Sequence, residues 1–482
     1  MKKPFLRRRS TGSSPNAERG ITMILVAVCM VAIIAIAALS IDVVTLYLSR
    51  EEAQRTADAA ALTAARIISV SGITGTADTA SWQRICGTNG VATLAAKGTA
   101  GANGVAGTIP TTVNVKYSIQ GAASGNGDCS KLTPISSLAI NPTVIVQVTR
   151  AGLPTLFSRI WSRNTNSVSA TAMAEVFNPS NSGTLASGGD VIPVQPRCVK
   201  PWVVPNLDPR NPDGCTTNCT KFVDRGTGQI QHPGISLNGT GGNGAIGETF
   251  WLESDCSRNN PSLCRTLRAP TIQANLARGG SIYRENPPNL LYLPNQVGTP
   301  VSAIPACTQS DPYEEAIEGC DAPTNYQCGV ANANLLDLRR NPDYGATTNG
   351  VSCLISQSNL SDTSDSSGQD YLSPFGAPSA YPFQIFAGTG NPLGAGLAGT
   401  QITNSNSIVS LPIYDNVGVG INPSSTTQVM FVGFLQVFIN ATDQYGNVNV
   451  TVLNVAGCGN DVSTTASAPG SSPVPIRLVT PQ

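Results

Sequence analysis

The sequence predicts an α+β protein: an N-terminal transmembrane helix continues into a long helix packed on a small sheet, and a disulfide-containing, mainly β region follows. Three observations predict this architecture: an uncharged apolar run near the N-terminus, an uninterrupted helical pattern after it, and short alternating strands with many cysteines beyond. Of 482 residues only 12% are charged, whereas 47 are Gly and 34 are Pro. This composition is typical of loop-rich extracytoplasmic proteins and unlike a helical cytosolic enzyme.

The apolar run spans residues 21–41 and contains no charged residue. A helix of this length measures about 30 Å, which is the thickness of a bilayer core. Residues 1–20 hold six basic residues against one acidic residue, and basic residues favour the cytoplasmic side. We therefore expect a single pass with a cytoplasmic N-terminus and the bulk of the chain outside. The alternative is a signal peptide cleaved near Ala35-Ile36-Ala37, but the run is longer than usual for one and no turn-forming residue ends it.

Residues 42–68 contain neither Gly nor Pro and continue the helical pattern beyond the membrane. One face of this helix carries mostly small side chains, which let another helix approach closely. This helix-docking face consists of Leu46, Ala53, Ala57, Ala60, Ala61 and Ala64. It either contacts the helix of another membrane protein or packs on the chain's own domain. In the first case, leucine at Ala57 and Ala61 should leave expression intact and impair the partner interaction.

Composition divides the chain into seven expected segments. They are a cytoplasmic basic segment (1–20), the membrane helix (21–41), an α+β module (42–177), a linker (178–196), a Cys/Pro-rich extracytoplasmic region (197–375), a β-rich C-terminal region (376–460) and a flexible tail (461–482).

Within these segments the patterns predict individual elements. A Gly/Ala-rich stretch, 87–109, predicts a flexible loop, and segments with residue patterns typical of short helices lie at 314–320 and 331–340. Alternation predicts strands at 111–118, 143–149 and 167–177. The segment 429–435 is apolar on both faces, which predicts a buried central strand, and Tyr445-Gly446-Asn447 predicts a hairpin turn after it.

Twelve of the 13 cysteines lie beyond the membrane helix, where an oxidising compartment favours disulfides. These disulfide candidates are Cys86, Cys129, Cys198, Cys215, Cys219, Cys256, Cys264, Cys307, Cys320, Cys328, Cys353 and Cys458. The best single pair is Cys86–Cys129, since both residues lie between the long helix and the first strands of one module. Zinc binding is the less favoured alternative, with Cys215 and Cys219 at ligand-like spacing. Cys29, inside the membrane helix, is interpreted as a small apolar residue.

The sequence offers little catalytic chemistry. The one histidine, His232, precedes a proline and is interpreted as a turn residue. Residues 362–366 match a D-x-S-x-S metal-binding pattern through Asp362, Ser364 and Ser366, but the flanking residues lack the strand and helix that this pattern needs, so we interpret them as a solvated loop. The acidic cluster within 311–321 is interpreted as a surface face. No phosphate-binding glycine loop and no basic face are present, so we expect no cofactor, no catalysis and no nucleic-acid partner.

The N-terminal half of the module resembles a known family. A basic-Gly start at Arg19-Gly20, the apolar helix, an Ile41-Asp42 step and the run QRTADAAALTAA at 54–65 resemble the N-terminal module of TadE/TadG-like assembly proteins of Flp (tight-adherence) pili. The strand, short helix and strand expected within 143–176 are similar to the elements that close that module. True pilins would carry an acidic residue five positions after Gly20, where this chain has Leu25, so processing as a pilin is not favoured.

The resemblance implies a membrane-anchored structural component of Flp pilus assembly or envelope anchoring in the bacterial inner membrane. Its expected partners are the lipid bilayer and other pilus-assembly or pilin-like membrane proteins, which would bind through the helix 42–68. Two other functions stay open. One is an extracytoplasmic adhesin or binding module, for which residues 362–366 would supply a divalent-cation site. The other is a secreted hydrolase, which the single histidine disfavours.

Overall fold

The computed structural model describes residues 15–70, 79–119, 125, 127–129, 142–153, 166–176, 194–196, 199–206, 208, 221–223, 245–254, 289–294, 307, 312–319, 335–337, 344–360, 367–373, 384–415, 428–444, 446–457, 468–470, 474 and 476–479.

The first element, α1 (Pro15–Val70), is a single helix of 56 residues. At 1.5 Å per residue it is roughly 84 Å long, several times the length of an average globular helix. It joins the apolar run and the following helical pattern without a break, which confirms the predicted continuation. Its N-terminal half has exposed apolar side chains, and its C-terminal half is built into the core of the first module.

The first module packs α1 against a four-stranded antiparallel sheet of order β1-β2-β3-β16. The strands are β1 (Thr112–Ile119), β2 (Pro142–Leu153), β3 (Asn166–Val176) and β16 (Ile476–Val479). The three strands predicted from alternation are confirmed. The core consists of alanines from α1 and small or β-branched residues from the sheet, including Val144, Val146 and Ala172. Small side chains on both surfaces bring the helix close to the strands.

Two shorter helices, α2 (Thr79–Cys86) and α3 (Val91–Ala102), complete this module. The prediction of a flexible loop over 87–109 is therefore wrong for residues 91–102. Ala92, Ala96 and Ala100 recur every fourth residue and are all buried, and α3 packs on α1. Gly and Ala suggested a loop by composition, whereas the spacing of the alanines supplies the contact that stabilises a helix.

The C-terminal tail also departs from the expectation of a flexible segment over 461–482. Residues 476–479 form β16, which pairs with β3 in the register Ile476–Val176 to Val479–Met173. Arg477 adds an ion pair to Glu175 at 2.9 Å. In the same segment, β15 (Ala468–Gly470) pairs in parallel with β4 (Val194–Pro196). The edge of β3 offers unpaired backbone groups, and the tail satisfies them.

The second sheet closes into a six-stranded barrel. Its strands are β5 (Trp202–Pro205), β6 (Thr249–Ser254), β7 (Asn289–Pro294), β12 (Ile408–Tyr414), β13 (Gln428–Thr442) and β14 (Val448–Gly457). Pairing runs β5-β7-β6-β14-β13-β12 and returns from β12 to β5. The helices α4 (Pro312–Glu318) and α5 (Tyr344–Leu354) pack on this core. Each of these six strands therefore has a hydrogen-bonded neighbour on both sides.

The prediction of a buried central strand is confirmed by β13, which lies between β12 and β14. Its residues divide between two cores: Leu435 and Val437 belong to the barrel core, and Phe438 belongs to the core of the first module. The predicted hairpin turn joins β13 to β14 and places Gly446 at φ +76°, a left-handed conformation that glycine adopts readily. Val437 and Phe438 are successive residues with opposite side-chain directions, so the strand contributes to both cores at this point.

The remaining described strands are short. The helix expected at 314–320 is confirmed by α4, but the one expected at 331–340 is not found, because residues 335–337 form β8 (Leu335–Asp337), which pairs with the start of β13. A three-stranded sheet contains β9 (Tyr371–Ser373), β10 (Gln384–Phe386) and β11 (Gln401–Ile402). Its Leu372 and Ile385 join the core of the first module.

Candidate membrane anchor

The N-terminal half of α1 exposes an uninterrupted apolar surface. From Met23 to Leu48 the exposed large side chains are Met, Ile, Leu, Val and one Tyr, and no charged residue is exposed among them. In the part of the chain that the structure describes, one helix is long and apolar enough to cross a membrane, and it is this one. The free Cys29 is exposed on the same apolar half. The exposure of so many apolar side chains suits a lipid environment and would be unfavourable in water.

The polar side chains in this half are compatible with lipid. Ser40 donates a hydrogen bond to the carbonyl of Ala37 at 2.7 Å, and Thr45 donates one to the carbonyl of Ile41 at 2.8 Å. Ser49 repeats the pattern with the carbonyl of Thr45, also at 2.8 Å. Such bonds to the preceding turn satisfy a hydroxyl within its own helix. These three groups therefore need no water.

The exposed surface changes character at residue 50. Arg50, Glu51, Glu52 and Arg55 are exposed, and Arg55 lies 3.9 Å from Glu51 in a solvent-exposed ion pair. A pair of this kind stabilises a helix by only a few tenths of a kcal/mol. The pair matters for its position, because exposed charged side chains on the outer face of α1 indicate that this part of the helix is in contact with water.

The helix-docking face is covered by the chain itself. Ala53, Ala57, Ala60, Ala61 and Ala64 are fully buried, and Leu46 packs against the same core from a partly buried position. The covering elements are β2, β3 and α3. Two contacts fix the arrangement: Gln54 donates to the carbonyl of Thr171 at 3.3 Å, and Glu52 accepts from the backbone N–H of Ala106 at 2.7 Å.

These alanines therefore pack on the chain's own module, which is the second of the two interpretations drawn from the sequence. The expectation that this face binds a helix of another protein has to be corrected, because no partner can reach side chains that β2, β3 and α3 already cover. The sequence could not separate the two readings, since close approach to a helix and close approach to a sheet select the same small residues.

The far end of α1 is fixed to the barrel and to the tail. Ser69 donates to the carbonyl of Val474 at 2.7 Å, and its own carbonyl accepts from the side-chain amide of Asn454 at 2.9 Å. Asn454 belongs to β14, and all three residues are buried. The helix that leaves the apolar half thus ends in contact with both modules.

Two disulfides lie among the described residues. Cys86–Cys129 joins the end of α2 to the segment before β2, which confirms the predicted pair, and Cys307–Cys353 joins a residue before α4 to α5. The other disulfide candidates and the zinc candidates Cys215 and Cys219 lie outside the described residues. The ligand atoms of Cys307, Cys353 and Glu318 lie within 4.8 Å of one another, but both sulfurs belong to the disulfide, so no thiolate is left for a metal.

A buried lysine at the end of α4 was missed by sequence reasoning. Lys200 is buried, and its ammonium donates to the carbonyls of Ile317 and Gly319, both at 2.6 Å, at the C-terminal end of α4. A cation is favoured at this end of a helix. Burial lowers the pKa of Lys200 to about 7, and the charge of Glu318 opposes the shift. The interaction joins the strand region before β5 to α4.

The acidic cluster around α4 is not a surface face, in contrast to the sequence-based interpretation. Glu314 and Glu318 are buried. Burial, followed by repulsion from Glu314 and Glu315, raises the pKa of Glu318 to about 7. Asp311 and Asp321 lie outside the described residues. No pattern in the sequence indicates that Lys200, more than 100 positions earlier, lies against this helix.

The remaining chemical candidates, His232 and the loop of Asp362, Ser364 and Ser366, also lie outside the described residues. The geometry on which function can be argued is therefore that of α1: a lipid-compatible half continuous with a half built into a folded module.

Comparison with known families bears on this same helix. Residues 20–66 match the Tad family, Flp pilus-assembly TadE/G-like. The match covers about a tenth of the chain and includes the apolar half of α1 and most of its buried half. It confirms the resemblance for this Tad segment, residues 20–66. The similarity expected within 143–176 lies beyond the match and stays a prediction. Searches of curated proteins and of solved structures found no match.

Proposed function

We propose that this chain is a non-enzymatic, single-pass membrane component that anchors or helps to assemble a Flp pilus. The observation that carries the proposal is the continuity of α1, whose apolar half leads directly into the core of the first module. A helix held in lipid at one end and packed at the other fixes the position and direction of the folded region. The Tad segment supports involvement in Flp pilus assembly at the level of the family.

The proposed location is the bacterial inner membrane, with residues 1–20 in the cytoplasm and the two modules on the outer side. The six basic residues before the apolar run support this orientation. The disulfides Cys86–Cys129 and Cys307–Cys353 support it independently, because disulfides persist in oxidising compartments.

The proposed partners are other pilus-assembly or pilin-like proteins in the same membrane. Because the helix-docking face is covered, these proteins would contact other surfaces. The candidates are the lipid-facing half of α1, the charged outer face near Arg50 and Arg55, and the six-stranded barrel. The adhesin alternative depends on Asp362, Ser364 and Ser366, and no contact among the described residues favours it.

The test compares a tethered and a released form in a host that assembles Flp pili and lacks its own copy of this protein. The released form carries a cleavable signal peptide in place of residues 1–41, so that the folded region from Asp42 onward is exported without its anchor. Full-length protein should restore pili counted by electron microscopy, and the released form should not. Disulfide formation in both forms, measured by mobility with and without reductant, controls for folding.

Piliation restored by the released form would overturn the anchoring role. N-terminal sequencing of the membrane fraction gives a second readout. A start at Met1 supports an uncleaved anchor, a start at Ile21 indicates pilin-type processing, and a start near Ala38 indicates secretion and would also overturn the proposal.

A further inference from the structure

We propose that lipid contacts α1 beyond the uncharged run, along an outer collar formed by Val43, Val44, Tyr47 and Leu48, so that the foot of the first module lies within the outer leaflet. The inference rests on the proposed membrane anchoring and adds the depth at which the module sits.

The collar is defined by exposure on one side of the helix. Val43, Val44, Tyr47 and Leu48 are 55%, 56%, 63% and 54% exposed. Their positions, i, i+1, i+4 and i+5, place them on one face. The chain's own fold covers the opposite face, where Asp42 is 5% and Ser49 is 3% exposed. The charge of Asp42 therefore does not interrupt the apolar surface, although it follows directly after residue 41.

The length of the apolar surface supports the same conclusion. From Thr22 to Leu48 the helix rises roughly 40 Å at 1.5 Å per residue. A hydrocarbon core is about 30 Å thick, and core plus headgroup regions are about 40–45 Å. The surface is therefore long enough to continue from the core into the outer interface, where the ring and hydroxyl of Tyr47 are well suited. The first exposed charge, Arg50, follows two residues after Leu48.

Lipid is favoured over a protein partner as the occupant of the collar because the collar continues the lipid-facing surface of the same helix without a break. The hydroxyls of Thr45 and Ser49 are already bonded within the helix, so the collar presents no polar group besides the Tyr47 hydroxyl that a partner could recognise. A partner helix is the alternative that the experiment has to exclude.

The test is labelling of single cysteines by a membrane-impermeant maleimide. The full chain carries Cys29→Ser and is reconstituted alone in vesicles of phosphatidylethanolamine and phosphatidylglycerol, and labelling of this parent is subtracted. Val44→Cys and Leu48→Cys probe the collar, and Ile33→Cys probes the middle of the membrane helix. The matched control is Leu94→Cys, an apolar residue on α3 that is 52% exposed and belongs to the same module.

We expect Val44→Cys and Leu48→Cys to react at least tenfold more slowly than Leu94→Cys in these vesicles, as Ile33→Cys does. Collar positions that react as fast as Leu94→Cys while Ile33→Cys stays protected would overturn the collar and leave the anchor intact. Protection in cells combined with fast reaction in the vesicles would assign the collar to a protein partner and overturn the lipid assignment. Fast reaction at Ile33→Cys as well would mean that the anchor itself has failed.

Discussion

Replacement of Ala57 by leucine tests whether the helix-docking face of α1 is covered by the chain's own fold. Ala57 is fully buried in the core of the first module, and leucine adds three carbon atoms at this position. Overpacking of a well-packed core costs roughly 1–3 kcal/mol. The difference in helix propensity between alanine and leucine is much smaller than this. The prediction is therefore a loss of stability in the purified protein, in the absence of any partner.

The first assay is thermal unfolding of the full chain in detergent, which gives Tm. The second measures the resistance of the folded chain to a protease at a fixed temperature below the transition. A cost of 1–3 kcal/mol corresponds to a decrease in Tm of roughly 2–12 °C for a domain of this size. Ala59→Leu is the matched control, because Ala59 lies on the same helix in a partly exposed position. It should change Tm by less than about 2 °C.

An unchanged Tm for Ala57→Leu would refute the reasoning, particularly if the variant were well expressed and failed to support piliation. That combination is the one expected if the alanines were a free docking face. The doubly substituted chain with Ala61→Leu is less informative, since the two positions are neighbours on the helix and their effects would not add simply.

Three further predictions concern the folded modules. Because burial raises the pKa of Glu318 to about 7, the stability that its protonated form contributes is fully present below the unfolded value of 4.5 and is lost as the pH rises through 7, a loss on the order of 2 kcal/mol. Between pH 4.5 and 7 the Tm of the unaltered chain should therefore fall more than the Tm of Glu318→Gln, and an equal fall in both chains would contradict the raised pKa. Replacement of Cys86 and Cys129 by serine opens a loop with a sequence separation of 43 and should lower the free energy of unfolding by about 2–4 kcal/mol. The loss is measured as a lower Tm, and reductant should lower the Tm of this variant by less than that of the unaltered chain. A Cβ at Gly433 would lie 2.5 Å from the carbonyl oxygen of Ala456 in the neighbouring strand, so Gly433→Ala should lower Tm by several degrees or prevent folding; an unchanged Tm would mean that β13 and β14 are not this close.

Local patterns in the sequence predicted the elements whose environment is repeated along the segment itself. The uncharged run 21–41 and the uninterrupted residues 42–68 determine a helix, since lipid and helix propensity both act locally. The alternation in β1, β2 and β3 predicts strands for the same reason. The apolar residues on both faces of β13 correctly indicated burial on both sides, without indicating what lies on either side.

The elements that were not predicted depend on contacts between distant segments. Residues 476–479 become a strand because β3, about 300 positions earlier, leaves an edge to pair with. The barrel closes through parallel pairing of β12 with β5 across some 200 residues, and no periodicity in either strand encodes that partner. Lys200 is buried against α4 for the same kind of reason. The helix α3 was missed because its stability comes from contact with α1 and not from its Gly-containing sequence.

Because the helix-docking face is covered by the chain itself, the proposed anchor would work differently from one with a free helix face. A free helix face would let α1 bind partners along its length and leave the modules loosely attached. With the face internal, and with Ser69 bonded to both the tail and β14, we expect α1, the first module and the barrel to tilt together relative to the membrane. Any tilt of the membrane helix is then transmitted over the length of α1: a change of 10° displaces a point 30 Å above the bilayer by about 5 Å, as simple geometry requires for a rigid helix rising 1.5 Å per residue. The depth and tilt set by the lipid-facing half thus determine where the barrel presents its surface, which is the property that a positional role in an assembly machine needs.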